Sequence, residues 1–175
     1  MSKDDMRLLA VSLTLFAASL TLSPMALGKS SDRNQPMDVQ ADSTNAVMED
    51  NSDSTLNGNV VITQGTLEIR SDRAIIHRRN GDIDKVTLTG SPVVMKQVND
   101  SGEPMNAQAA TIVYTLSSDL ILLSGNVSIE QPRGSMRGEN VKYDLKTGRL
   151  DGGGDGNRVS MRIMPKTKAP AEAKP

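Results

Sequence analysis

Apolar residues fall at every second position along most of this chain. Met37 and Val39 are followed by Val60 and Ile62, Leu67 and Ile69, Ala74 and Ile76, then Val86 and Leu88. The same period resumes at Ile112, Tyr114 and Leu116, at Leu120 and Leu122, at Val127 and Ile129, at Val141 and Tyr143, and at Val159, Met161 and Ile163. A period of two sets alternate side chains on one face of a β-strand, where a helix would need a period near 3.6. Turn formers separate the runs: Gln64-Gly65, Asn80-Gly81, Asn99-Asp100-Ser101-Gly102, Ser117-Ser118-Asp119, Gln131-Pro132-Arg133-Gly134 and Lys146-Thr147-Gly148. The pattern predicts an all-β domain, an antiparallel meander of roughly 14–16 strands at about 5–6 residues each.

The chain also repeats itself. Leu56-Asn57-Gly58-Asn59-Val60-Val61-Ile62-Thr63-Gln64 recurs 67 positions later as Leu123-Ser124-Gly125-Asn126-Val127-Ser128-Ile129-Glu130-Gln131, with six of nine residues identical. A self-similar β-unit implies copies that stack to bury a shared face. Leu88-Thr89-Gly90 and Leu150-Asp151-Gly152 echo the same Leu-x-Gly. Glycine at a fixed point of each copy predicts a bend or bulge there.

Residues 1–28 have the form of an export signal. Lys3 and Arg7 precede an apolar run from Leu8 to Leu22, and Ala26-Leu27-Gly28 offers small residues for cleavage after Gly28, which predicts an exported protein. That run is shorter than the roughly 20 residues a membrane span requires. The remaining 147 residues suit one domain. There is no cysteine, so neither a disulfide nor a thiolate metal site is available.

The net charge of −1 offers no field for nucleic acid, and the only Phe, Phe16, lies in the leader. Two tyrosines and no Trp cannot tile a stacking surface for bases. Aliphatic side chains and methionines do the burying, and Met suits variable, soft apolar shapes. The tail from Pro165 to Pro175, rich in Pro, Ala and Lys, is expected to be disordered.

Catalysis finds little support. His77 is the sole histidine and directly precedes a hairpin turn. Asp151-Gly152-Gly153-Gly154-Asp155-Gly156-Asn157 resembles a fragment of a calcium-binding turn, but it occurs once where such sites need stacked copies. No catalytic residue, metal or cofactor is expected.

Several motifs in order carry a resemblance: Gln35-Pro36-Met37-Asp38-Val39, then Gly58-Asn59-Val60-x-Ile62-x-Gln64-Gly65-Thr66-Leu67-x-Ile69-x-Ser71-Asp72, Gly90-Ser91-Pro92-Val93-Val94-Met95, Gln108 to Tyr114, and Leu122-Leu123-Ser124-Gly125-Asn126-Val127 followed by Gln131. Over about residues 35–164 the chain resembles the periplasmic lipopolysaccharide-transport bridge family, the organic-solvent-tolerance-like β-jellyroll proteins. Membership implies an open, V-shaped β-jellyroll over residues 29–164 that carries lipid A acyl chains between its sheets.

The resemblance points to Met37, Val39, Met95, Tyr114 and Leu116 as groove positions, Met95 standing where the family often has an aromatic residue. Alternation alone adds Val60, Ile62, Ile69, Ile76, Leu88, Ile112, Leu122, Ile129, Met136, Val141 and Tyr143. For each of these, plain sheet-to-sheet core is an equal reading. An unclosed jellyroll leaves edges, here Met37, Asp38, Val39, Gln40 and Ala41 at one end and Arg158, Val159, Ser160, Met161, Arg162 and Ile163 at the other. The resemblance implies that the N-terminal edge meets an inner-membrane-anchored jellyroll partner, that the C-terminal edge meets the outer-membrane translocon, and that copies join head to tail.

Two other readings stay open. One is an adaptor β-domain that works only through its edges. The other is a freely diffusing lipid carrier.

Overall fold

The structure, a computed structural model, describes residues 29–165 apart from Asp100 and Asp155. The leader expected over residues 1–28 and all but the first residue of the expected tail lie outside it. Ten antiparallel strands form one open sheet: β1 Met37–Gln40, β2 Ser43–Asn45, β3 Asp53–Gln64, β4 Leu67–Arg79, β5 Asp82–Val98, β6 Pro104–Thr115, β7 Leu120–Gln131, β8 Gly134–Asp144, β9 Arg149–Gly152 and β10 Ser160–Ile163. The order across it is β1-β3-β4-β5-β6-β7-β8-β10, with β2 also on β3 and β9 also on β8. Two short 3-10 turns, Lys29–Asn34 and Leu116–Ser118, complete the elements. The expected hairpin turns all fall between strands.

Ten strands, rather than 14–16, result because six run unbroken through a bend. The pairing register shifts between Asn57 and Val60, Arg70 and Arg73, Thr89 and Val93, Gln108 and Thr111, and Ser124 and Val127, so one line of irregularity crosses β3 through β8. A bulge adds a residue to one strand and bends it. Folding along that line turns the sheet into two facing half-sheets, each of eight strand segments, which is the open jellyroll. β1 and β10 bound one half-sheet, and β2 and β9 bound the other.

The repeated sequence is this bend. Gly58 and Asn59 have φ of 75° and 45°, and Gly125 and Asn126 have φ of 83° and 50°, the same left-handed pair in β3 and in β7. Glycine enters this region freely and asparagine more readily than most residues. Space also demands glycine at Gly125, where a Cβ would come within 2.8 Å of Ala110 Cβ.

Between the half-sheets lies one apolar core. Val60, Ile62, Ile69, Leu88, Val93, Met95, Ile112, Ile121, Leu123, Ile129 and Val141 are buried there, with Tyr114 and Tyr143.

Candidate functional site

The registers carry the inner face from one edge of the molecule to the other. Val39 pairs with Ile62, Ile62 with Ile69, Ile69 with Met95, Met95 with Ala107, Ala107 with Ile129, Ile129 with Met136, and Met136 with Met161. Eight residues, seven steps at about 4.8 Å between strands, span about 34 Å. The facing half-sheet supplies parallel rows, Leu56-Ala74-Leu88-Ile112-Leu123-Val141 and Ile76-Val86-Tyr114-Ile121-Tyr143-Leu150.

Most positions expected in the groove line this interior. Val60, Ile62, Ile69, Leu88, Met95, Ile112, Tyr114, Ile129, Met136, Val141 and Tyr143 are buried, and Met37, Val39, Ile76 and Leu116 are half-buried against them. Leu122 is a correction: it is 44% exposed on the outer face, while its neighbours Ile121 and Leu123 point inward. Leu120-Ile121-Leu122-Leu123 is a continuous apolar run without internal phase. Counting back by twos from Ile129 and Val127, or aligning Leu123 with Leu56 in the repeat, identifies the inward pair. Sequence reasoning also passed over Met105 and Ala107, whose strand reads as a mixed polar segment.

The interior is filled at its centre and opens at both ends. At the N-terminal edge a cavity of about 610 Å³ is lined by Val39, Ala41, Leu56, Ile76 and Ile83, with Arg78 beside them. At the C-terminal edge one of about 200 Å³ is lined by Ile129, Met136, Leu150 and Met161, with Arg133 and Arg162. The terminal strands are as exposed as edges require. Every residue of β10 is exposed, Met161 by 60% and Ile163 by 77%.

Opposite the bend, hairpin tips of the two half-sheets approach one another, and polar contacts join them. The Tyr114 hydroxyl donates to Gln64 Oε1 at 3.1 Å, and Gln64 Nε2 donates to the carbonyls of Arg33 at 3.3 Å and Gln35 at 3.2 Å. Asp32 accepts from the Thr66 amide at 2.9 Å and from its hydroxyl, while Arg33 reaches Asp119 on the other half-sheet at 3.0 Å. The Lys29–Asn34 turn therefore straps the mouth of the V. Burial, reinforced by the Asp119 charge and opposed by Arg33, pushes the Tyr114 phenol up to about 12.

His77 shares no such enclosure. It lies on the outer face between Asp53, 2.7 Å from Nδ1, and Thr87, 3.2 Å from Nε2. Among the described residues no cluster of His, Asp and Glu could hold a metal ion.

Known proteins match over almost the same span. Residues 38–149 fit the family described as LptA/(LptD N-terminal domain) LPS transport protein. The lipopolysaccharide export system protein LptA of Haemophilus influenzae is 32% identical over 165 residues, covering 91% of this chain and 95% of that protein. LptA of Escherichia coli K12 is 29% identical over 160 residues, 90% of this chain and 86% of that one. The crystal structure of LptH, the LptA-homologous periplasmic component of the lipopolysaccharide transport device of Pseudomonas aeruginosa, superposes with a TM-score of 0.69 at 26% identity, covering 77% of this chain and 99% of that chain. These relatives transport a lipid rather than catalyse a reaction. With nearly two thirds of its length inside the family match and a relative above 30% identity across nine tenths of it, this chain belongs to the LptA/(LptD N-terminal domain) family of lipopolysaccharide transport proteins.

Proposed function

We infer that this protein is a periplasmic bridge segment that carries lipopolysaccharide between the inner and outer membranes, with lipid A acyl chains held between its half-sheets. The observation that carries this reading is the inner apolar row from Val39 to Met161, continuous from edge to edge and ending in cavities at both. Exposing one acyl chain of about a dozen methylenes to water costs about 10 kcal/mol. A lipid with several such chains needs an unbroken apolar path across an aqueous compartment.

The packed centre means that loading must part the half-sheets, which the line of bulges opposite the mouth would allow. The edges supply the joints. β1 and β10 each present unpaired backbone groups on one side, and heterologous pairing of β10 of one copy with β1 of the next makes an open filament. In this reading β1 meets an inner-membrane-anchored jellyroll partner and β10 the outer-membrane translocon, after cleavage of the leader following Gly28.

Photo-crosslinking in living cells tests the conduit. A probe at Tyr114, Leu116 or Met95 should form a lipopolysaccharide adduct, and one at Leu122 or Lys142 on the outer face should not. A filled interior also fits an adaptor that works through its edges alone. Correctly folded protein without adducts at any inner position would establish that second reading and remove the first.

A further inference from the structure

The two end cavities share a feature that the interior lacks. Each combines apolar walls with arginine and has no carboxylate in its lining: Arg78 at the N-terminal end, Arg133 and Arg162 at the C-terminal end. Other surface depressions differ. One pairs Arg70 with Asp72, another carries Glu130, and a third carries no charge.

Among the described residues none of these three arginines is in an ion pair, whereas Arg33, Arg70, Arg79 and Arg149 each reach a carboxylate. Arg78 makes one long side-chain bond, Nη1 to the Gly81 carbonyl at 3.4 Å, which leaves most of its five donors unused. An unpaired guanidinium beside an apolar cavity fits an amphiphile with an anionic head. Its chains enter the apolar part, and its head stays at the rim, where a planar fork of donors matches a phosphate bidentately.

We propose that Arg78 at one end of the groove, and Arg133 at the other, bind the phosphate groups of the lipid whose acyl chains occupy the interior. This rests on the lipid-carrying reading above and assigns the headgroup a site of its own. If copies join β10 to β1, the arginines of both ends converge on each joint. A headgroup leaving one segment then meets the guanidinium of the next.

The test compares binding of bisphosphorylated lipid A and of the same lipid stripped of phosphate, both in mixed micelles, to the protein purified from the periplasm. Wild type should favour the bisphosphorylated form by about tenfold, the scale of one or two charge-assisted hydrogen bonds. Inorganic phosphate should erase that preference. R78Q and R133Q should each reduce it while leaving affinity for the stripped lipid unchanged, and R78K should retain part of it.

Equal wild-type affinity for the two lipids, or Gln variants that lose both equally, would overturn the proposal and leave the acyl groove standing. Failure of wild type to bind either lipid would overturn the carrying reading itself. If a Gln variant does not fold, the wild-type comparison and the phosphate competition still decide.

Discussion

The Tyr114 hydroxyl donates to Gln64 Oε1 across 3.1 Å, and this contact ties the inner faces of the two half-sheets together at the mouth of the V. Both residues are buried, Tyr114 at 2% exposure and Gln64 at 8%. Tyr114→Phe keeps the ring and orphans the Gln64 oxygen. The expected cost is about 1–3 kcal/mol, seen as a lower urea midpoint at unchanged slope. Full stability in the variant would mean that the half-sheets do not depend on this tie.

The same tie gives an alkaline signature. The Tyr114 phenol titrates near 12 in the folded protein, above its ordinary value near 10, because burial disfavours the phenolate. Between those values the unfolded chain has lost a proton that the folded protein keeps. Stability from this group is thus complete below pH 10 and declines as pH rises toward 12, by up to about 1.4 kcal/mol per pH unit. Unfolding free energies of wild type and Tyr114→Phe, measured from pH 8 to 12, should converge as pH rises. A constant difference would contradict the shift.

Leu122 and Leu123 give a test of register. Leu123 is fully buried and Leu122 lies outside, so Leu123→Ala should cost about 2–5 kcal/mol and Leu122→Ala within about 0.5 kcal/mol. Chemical denaturation of the two variants reads this directly. The opposite ranking would shift β7 by one residue and turn its whole inner row outward.

Gly125 tests the bend. Its φ of 83° and the 2.8 Å approach to Ala110 Cβ both oppose a side chain. Gly125→Ala should destabilise by about 1–3 kcal/mol, and adding Ala110→Gly should recover only the contact part, leaving about 1 kcal/mol of backbone strain. Complete rescue in a double-mutant cycle would show that the left-handed backbone carries no strain.

The strap makes a local prediction. Asp32→Ala removes the acceptor of the Thr66 amide, 2.9 Å away, and leaves the Lys29–Asn34 turn held to the β3–β4 hairpin by the Gln64 amide. Hydrogen exchange at Thr66 should accelerate and proteolysis after Arg33 should become faster, while the amides of Ile69 and Ile112 keep their protection. Uniform loss of protection would mean that the strap supports the whole core.

The period of two and the turn residues determined the all-β class, the hairpin sites and most of the inner face. Alternation is written wherever one side of a strand meets apolar atoms and the other meets water. The 67-residue repeat likewise announced glycines at a fixed structural point. The strand count was not legible, because a bulge lets a strand bend without the loop that would mark an end. In β7 the inward phase was hidden for a related reason: four apolar residues in a row fit both faces, and the choice comes from outside the run, from the match of Leu123 to Leu56 in the repeat and from the pairing of Leu123 with Ile112 and Val141. The Tyr114–Gln64 tie and the Asp32 and Arg33 strap join residues dozens of positions apart, and no periodicity encodes which distant polar groups meet. Nor could composition show that Arg78, Arg133 and Arg162 sit beside apolar cavities. Their placement came from folding one sheet onto itself, which carried its two edges to opposite ends of a single interior.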